Sequence, residues 1–188
     1  MKFFLSHTSN KAFSIIEVMV GIFIFSLWLV AIYALLISSL NLSDYNRHAI
    51  IASQLSVEQI EIVRNIRDMN YKELRAWDML PSGWSLWSWY FTVENDFWGN
   101  HIDIEPINSF QEWSDALIAM QVYRLCITSE WIYTYKCASD TQETPYYRYL
   151  LIEEIWDESL RITSKVIWYA RGYHEYDITT LITDWRRL

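Results

Sequence analysis

The stretch that decides the fold is residues 11–37, which read KAFSIIEVMVGIFIFSLWLVAIYALLI. Its last part, residues 18–37, contains no charged residue and no proline. A helix rises about 1.5 Å per residue, so this apolar run covers about 30 Å, the hydrocarbon thickness of a bilayer. We therefore predict a helix that can span a membrane.

The residues around this run indicate that it is not removed as a signal peptide, and they predict its orientation in the membrane. A secretory signal has a shorter apolar run, of about 7 to 15 residues, followed by small residues at the cut. Here the run continues into SSLNLSDYNRH and a second helical pattern. Lys2 and Lys11 precede the run, and Asp44 is the first charge after it. By the positive-inside rule, the N-terminus lies in the cytoplasm and the C-terminal part outside the cytoplasmic membrane.

Glu17 is the only acidic residue among the first 42, whereas the chain as a whole has 23. A carboxylate at the centre of a membrane helix costs about 2.5 to 3.5 kcal/mol, and less near an end. Two interpretations follow. Glu17 reaches interfacial water, or it is a functional acid that needs a cationic partner.

The order of residues 11–20, KAFSIIEVMV, resembles the class III signal of type IV prepilins and type II secretion pseudopilins. The resemblance implies that a prepilin peptidase cuts between Ala12 and Phe13 and methylates the new amine. It also implies that Glu17 pairs with that amine on a neighbouring subunit, which would neutralise both charges in an apolar filament core. The family usually has glycine where this chain has Ala12.

The sequence divides into four segments on this interpretation. They are a prepilin leader at 1–12, a transmembrane half of the N-terminal helix at 13–42, an amphipathic half at 43–70 and a β-rich head at 71–188. The amphipathic half has no glycine or proline, and its apolar residues recur at helical spacing. The predicted head-facing stripe is Ile51, Leu55, Ile62, Ile66 and Met69. Ile60 lies on the side of the helix opposite this stripe.

The sequence of the head, residues 71–188, predicts an antiparallel sheet. Residues 160–169 alternate as a strand with one better-buried face, and a turn at 170–172 returns the chain into 173–185. Further strand candidates are 121–127, 131–135 and 146–155. The simplest assembly is a four-stranded antiparallel sheet packed on the second half of the helix, so the predicted fold class is α+β.

Cys126 and Cys137 are the only cysteines, and they lie on neighbouring candidate strands. In an extracytoplasmic head they can form a disulfide, worth roughly 3 kcal/mol for a short loop. Two buried unpaired thiols are the alternative, because sequence does not give the distance between them.

Residues 94–105 place Glu94, Asp96 and Glu105 at positions 1, 3 and 12 of a spacing similar to that of a calcium-binding EF-hand. Position 5 is a tryptophan, however, and flanking helices are not evident. We therefore favour a solvated acidic loop and predict no bound metal.

Trp84, Trp87 and Trp89 belong to a tryptophan-rich segment with two interpretations. The segment is a surface for a glycan, a partner protein or a membrane interface, because tryptophan joins a large apolar body to a polar N–H group. Alternatively, these side chains pack in the core beneath a loop, which is the interpretation we favour.

Composition narrows the function classes. The formal net charge of −8 opposes nucleic-acid binding by the head. The 4 glycines are too dispersed for a phosphate-binding or dinucleotide-binding loop, no catalytic motif is present, and no cofactor is implied. We expect a non-enzymatic filament subunit whose partners are prepilin peptidase, the membrane and other pilin or pseudopilin subunits. The alternatives are a filament-tip binding module and an unprocessed membrane-anchored protein.

Overall fold

The computed structural model describes residues 14–80, 86, 89–96, 101–107, 123–135, 137–156 and 159–184, except for the side chains of 95, 96 and 101–103. The chain forms two compact units, Met1–Asp44 and Tyr45–Leu188. One helix, α1, comprises Ile15–Lys72 and belongs to both units. It contains no proline, and its only glycine is Gly21, so nothing in its sequence breaks the backbone hydrogen bonding.

The C-terminus of α1 is closed by backbone hydrogen bonds. The amide of Arg75 donates to the carbonyl of Asn70 over 2.9 Å, and that of Leu74 donates to Tyr71 over 3.3 Å. Leu74 has a φ of 57°. This is the Schellman arrangement, in which a left-handed residue ends the helix. The Tyr71 hydroxyl also donates to Asp184, over 2.7 Å, which fixes the helix end to the end of the chain's last strand.

Seven antiparallel strands form one sheet in the described part of the chain. They are β1 (Trp89–Asp96), β2 (His101–Pro106), β3 (Arg124–Ile127), β4 (Tyr133–Thr134), β5 (Gln142–Trp156), β6 (Ser159–Tyr169) and β7 (Tyr173–Thr183). The predicted α+β class, a long N-terminal helix with an antiparallel sheet, is confirmed. The predicted number of four strands is wrong, because all five strand candidates join the sheet and β1 and β2 add a hairpin in a region that we interpreted as a loop.

Strand β5 organises the sheet because three strands pair with it. β6 pairs along one edge of β5, and β7 pairs with β6. Two strands share the other edge: β3 pairs with the first part of β5, through Arg124 and Tyr147, and β1 pairs further along, through Phe91 and Leu150. Arg148 therefore lies at the point where the sheet divides.

Two apolar clusters join the helix to the sheet within the second unit. The first cluster is formed by Ala52, Leu55, Leu125, Tyr146, Val166 and Trp168. The second cluster includes Ile62, Val63 and Ile66 of the helix and Phe91, Val93, Leu150, Ile152 and Ile162 of the sheet. All of these side chains are buried. The clusters supply the hydrophobic free energy that holds the helix on the sheet.

A polar layer separates the two clusters. It consists of Glu58 and Gln59 on α1, Arg148 on β5, Ser164 on β6 and Tyr135, which follows β4. Ser164 donates to the Gln59 side-chain oxygen over 2.6 Å, and the Gln59 amide donates to the Tyr135 hydroxyl over 3.5 Å. Buried polar groups are tolerated when they bond to one another, so these partners fix the position of the helix along the sheet.

Arg148 is the centre of the polar layer, with 0% of its side chain exposed. Its guanidinium donates to Glu58 over 3.1 Å, to the Val93 carbonyl over 3.1 Å and to the Tyr135 hydroxyl over 3.3 Å. Burial alone would lower the pKa of Arg148, but Tyr135 and Glu58 raise it above its ordinary value. Burial raises the pKa of the Tyr135 phenol, so this hydroxyl stays neutral and donates to the Arg148 carbonyl over 2.8 Å.

The buried face of α1 differs in part from the predicted stripe. Leu55, Ile62 and Ile66 are buried as predicted, but Met69 is 39% exposed and Ile60 is only 4% exposed. At about 100° per residue, the buried face is rotated by roughly 70° from the predicted stripe. The reason is that its centre contains polar residues, which an apolar pattern does not count. These are Ser56, Gln59 and Asn70.

We expect Arg148→Ala to lower the free energy of unfolding by about 3 kcal/mol. The substitution leaves a cavity and an unbonded Val93 carbonyl, whereas the half-exposed Glu58 can turn to water. Arg161→Ala is the matched control, because Arg161 makes an exposed pair with Glu153, worth less than about 1 kcal/mol. Urea unfolding of the detergent-solubilised chain measures both. Equal losses for the two variants would contradict a structural role for the polar layer.

Candidate functional site

The N-terminus of α1 is capped by Ser14. The carbonyl of Ser14 accepts hydrogen bonds from the amides of Glu17, over 3.0 Å, and Val18, over 3.2 Å. Ser14 precedes the first helical residue, Ile15, and Glu17 lies in the first turn. A serine followed three residues later by glutamate is the spacing of a capping box. The positive end of the helix dipole also favours a carboxylate at this position.

Glu17 therefore lies where a helix tolerates an acid, at the start of a segment that is otherwise apolar. The side chains of residues 14–43 are all exposed within the chain. The large apolar ones include Ile15, Val18, Ile22, Phe25, Leu29, Ile32, Leu36 and Leu40. A surface of this size is covered by lipid or protein when it is stable. Within this segment the Ser26 hydroxyl donates to the Ile22 carbonyl over 2.7 Å, so that polar group is bonded to the helix itself.

The apolar part of α1 is also sufficient for a membrane span. Its apolar stretch is longer than a bilayer span requires, and none of that stretch is buried among the residues that the structure describes. By length and composition, this helix can cross a bilayer, as predicted from residues 18–37. The helix fits a membrane-anchored protein.

Residues 7–33 match the family model of the prokaryotic N-terminal methylation motif. The chain is type IV pilin-like, with a prepilin-type N-terminal motif. Neither the search of curated proteins nor the search of solved structures gave a match. The motif of this pilin-like chain suggests processing by prepilin peptidase and membrane-associated assembly with other subunits. It points to a structural protein rather than an enzyme.

The structure covers only part of the motif. Ala12 and Phe13, between which we expect cleavage, lie outside the described residues, as do residues 1–11. Ser14 and Glu17 are described. The pilin-like chain thus presents its motif acid on an exposed first turn, immediately after the expected cut.

Cys126 and Cys137 form a disulfide bond in the structure, with their Cα atoms 5.4 Å apart. Cys126 is buried on β3, where it pairs in register with Thr134 of β4. Cys137 follows β4 and Tyr135 along the chain. The bond therefore closes a loop that contains β4 and one residue of the polar layer.

The tryptophan segment is described only in part. Trp84 and Trp87 lie outside the described residues. Trp89, the first residue of β1, is 41% exposed, and its indole N–H donates to the Ile107 carbonyl over 2.6 Å. Its polar group is thus already bonded within the head, which favours a structural role for this tryptophan.

The calcium candidates lie on a β-hairpin rather than between helices. Glu94 and Asp96 are on β1, and Glu105 is on β2, so the interpretation of these residues as part of a solvated loop is wrong. The Glu94 carboxylate accepts a hydrogen bond from the Thr134 hydroxyl, which connects the hairpin to β4. Among the residues that the structure describes, no group of three or more histidines, cysteines or acids could hold a metal ion.

Sequence reasoning missed the polar layer and one exposed aromatic residue. Trp131 was part of a predicted strand, 131–135, but it lies in the loop between β3 and β4 with a φ of 66° and is 81% exposed. No sequence signal marks it. Arg148 could have been noticed as a charge in the alternating buried pattern of β5, where Tyr146, Leu150 and Ile152 share its face.

The disulfide predicts a specific alkylation pattern. Without reductant, an alkylating reagent should label neither Cys126 nor Cys137 in the native or the denatured chain. After reduction, both should be labelled on denaturation, and the head should lose roughly 3 kcal/mol of stability. Mass spectrometry of the labelled chain measures the first result. Labelling of the unreduced, denatured chain would contradict the bond.

Proposed function

We propose that the chain is a minor pilin or pseudopilin, a structural subunit of a type IV pilus or a type II secretion-like filament. The observation that carries this proposal is the prepilin-type motif at residues 7–33, together with a long helix whose apolar half is exposed in the described part of the chain. A filament subunit needs both features, because the helix is held by lipid before assembly and by neighbouring helices afterwards.

In the proposed sequence of events, the precursor is first inserted with its N-terminus in the cytoplasm and its head outside. The basic leader residues Lys2 and Lys11 support this orientation. The disulfide between Cys126 and Cys137 supports it independently, because disulfides persist in oxidising compartments outside the cytoplasm. Prepilin peptidase then cuts between Ala12 and Phe13 and methylates the amine of Phe13.

Cleavage supplies the partner that Glu17 needs. Before the cut, Glu17 is stabilised by the positive end of the helix dipole. Afterwards, the cationic amine of Phe13 on a neighbouring subunit pairs with the carboxylate when the two helices pack. An unpaired charge in an apolar filament core is costly, so the pair favours one register between subunits.

The second unit gives this mechanism a rigid head. The apolar clusters and the polar layer hold residues 45–72 of α1 against the sheet, and the Schellman motif ends the helix at Lys72.

Two alternatives remain open to experiment. A filament-tip binding module that uses the tryptophan-rich segment needs free indole groups there, but the indole N–H of Trp89 is bonded to the head's own Ile107 carbonyl. An unprocessed membrane-anchored protein would use the same apolar helix but would keep Lys2 and the rest of its leader. We therefore favour the filament subunit.

The pairing role predicts a charge-specific assembly defect. In cells whose assembly system takes up the wild-type chain, Glu17→Ala and Glu17→Gln should reach the membrane fraction at wild-type level or above, because an acid is removed from an apolar helix. Both variants should be reduced about tenfold or more in sheared filaments, because each leaves the Phe13 amine unpaired in the apolar core.

Glu153→Gln is the control, since Glu153 makes only an exposed pair on the head, with Arg161, and its loss should change neither fraction. Quantitative immunoblots of the membrane and filament fractions measure the effects. Wild-type incorporation of both Glu17 variants would count against the pairing.

A further inference from the structure

One end of the second unit is built from aromatic side chains around the start of its helical part. The ring of Tyr45 lies 6.1 Å from that of Trp168 and 5.3 Å from that of His174. Trp168 is buried, but Tyr45 is 45% exposed. Tyr173, next to His174 at the start of β7, is 52% exposed. This end of the unit therefore presents tyrosine rings to its surroundings.

The loop between β3 and β4 lies at the same end. His48, one turn after Tyr45, hydrogen-bonds the Tyr146 hydroxyl over 2.7 Å. The Tyr146 ring contacts that of Tyr133, with centroids 6.1 Å apart. Tyr133 is the first residue of β4 and follows Trp131 by two positions. These contacts place Trp131 near the start of the helical part rather than near its end.

Trp131 is held outward by its loop. Thr128 donates to the Ile132 carbonyl over 3.0 Å, and the Trp131 amide donates to the Thr128 carbonyl over 3.0 Å, which closes a tight turn. Trp131 has a φ of 66° and is 81% exposed. A left-handed backbone is unfavourable for a residue with a Cβ atom, and an exposed indole recovers little by packing. Within the chain, nothing described compensates for this conformation.

The other end of the sheet offers a natural comparison. Trp156 ends β5 and is 75% exposed, so it resembles Trp131 in residue type and exposure. Ile127, the last residue of β3, pairs with Gln142, the first residue of β5. The 15 residues of β5 therefore separate the two tryptophans, by about 45 Å at about 3.3 Å per residue.

We propose that Tyr45, Trp131 and Tyr173 form a lipid-contacting rim, which places this end of the head in the headgroup region of the bilayer before assembly. The proposal rests on the membrane anchoring proposed above. Leu42, the last residue of the exposed apolar run, precedes Tyr45 by three positions in the same helix, so Tyr45 follows the membrane-spanning segment directly along the chain. Tryptophan and tyrosine prefer this interface because each has an apolar body and a polar group.

The rim also explains why an exposed tryptophan is found in a strained loop. In the headgroup region the Trp131 ring is removed from water while its N–H group keeps polar partners. The Tyr173 hydroxyl donates to Glu175 over 2.8 Å and leaves the ring edge available. The positive charge of Arg47, which lies close enough to act on Tyr133, adds an attraction to lipid phosphates.

Fluorine NMR of the full, uncleaved chain in phosphatidylcholine nanodiscs tests the rim. The chain carries 5-fluorotryptophan, and Trp28→Phe, Trp131→Phe and Trp156→Phe identify three of the signals. One sample contains a lipid with gadolinium chelated at its headgroup, and another contains a lipid with a nitroxide on its acyl chain. Trp28 reports on the span, Trp131 on the rim and Trp156 on the far end of the head.

The expected result is that the acyl-chain nitroxide broadens the Trp28 signal and that headgroup gadolinium relaxes Trp131 at least about tenfold more than Trp156, given their separation along β5. If Trp28 is broadened but gadolinium relaxes Trp131 and Trp156 equally, the rim is wrong while the anchor stands. If Trp28 is not broadened, the anchor is wrong and the rim with it. A Trp131 that responds only when a second subunit is added would assign this surface to a protein contact and would also overturn the rim.

Discussion

The structure depends on one constraint: a single helix, Ile15–Lys72, must be stable in two environments. Backbone groups in a bilayer have no water to bond, so a single segment crosses it as a helix, which bonds its own backbone groups. The same helix must then present a buried face to the sheet, which it does through the apolar clusters and the polar layer. These two environments explain why the apolar residues of the helix are exposed before Asp44, whereas many of those after it are buried.

The polar layer fixes the register of the helix on the sheet, which the apolar clusters alone do not. Apolar contacts tolerate small shifts of a helix along a sheet, whereas Gln59, Tyr135 and Arg148 bond with defined partners in one register. Arg148 also fills the point where β1 and β3 diverge from β5, and its bond to the Val93 carbonyl replaces the strand pairing lost there. The sheet can therefore divide without leaving this buried carbonyl unbonded.

The features of the fold that depend on local sequence patterns could be predicted from the sequence. The apolar span, the α+β class and the β6–β7 hairpin follow from runs and alternations that neighbouring residues determine. The β1–β2 hairpin was missed because the acidic spacing of residues 94–105 suggested a loop. The buried face of α1 was misplaced because Gln59 and Asn70 are buried through bonds to distant residues, which no local pattern reveals. The strained, exposed Trp131 was missed because residues 131–135, WIYTY, suggested a strand.

The proposed function requires that prepilin peptidase cut the chain just before the first turn of α1. Intact mass and N-terminal sequencing of the chain co-expressed with a prepilin peptidase test it most directly. We predict a chain that starts at a methylated Phe13 and retains Glu17 as its only acid in the apolar segment. A chain that still starts at Met1 in the presence of active peptidase would contradict the proposed filament subunit and leave a single-span anchored protein.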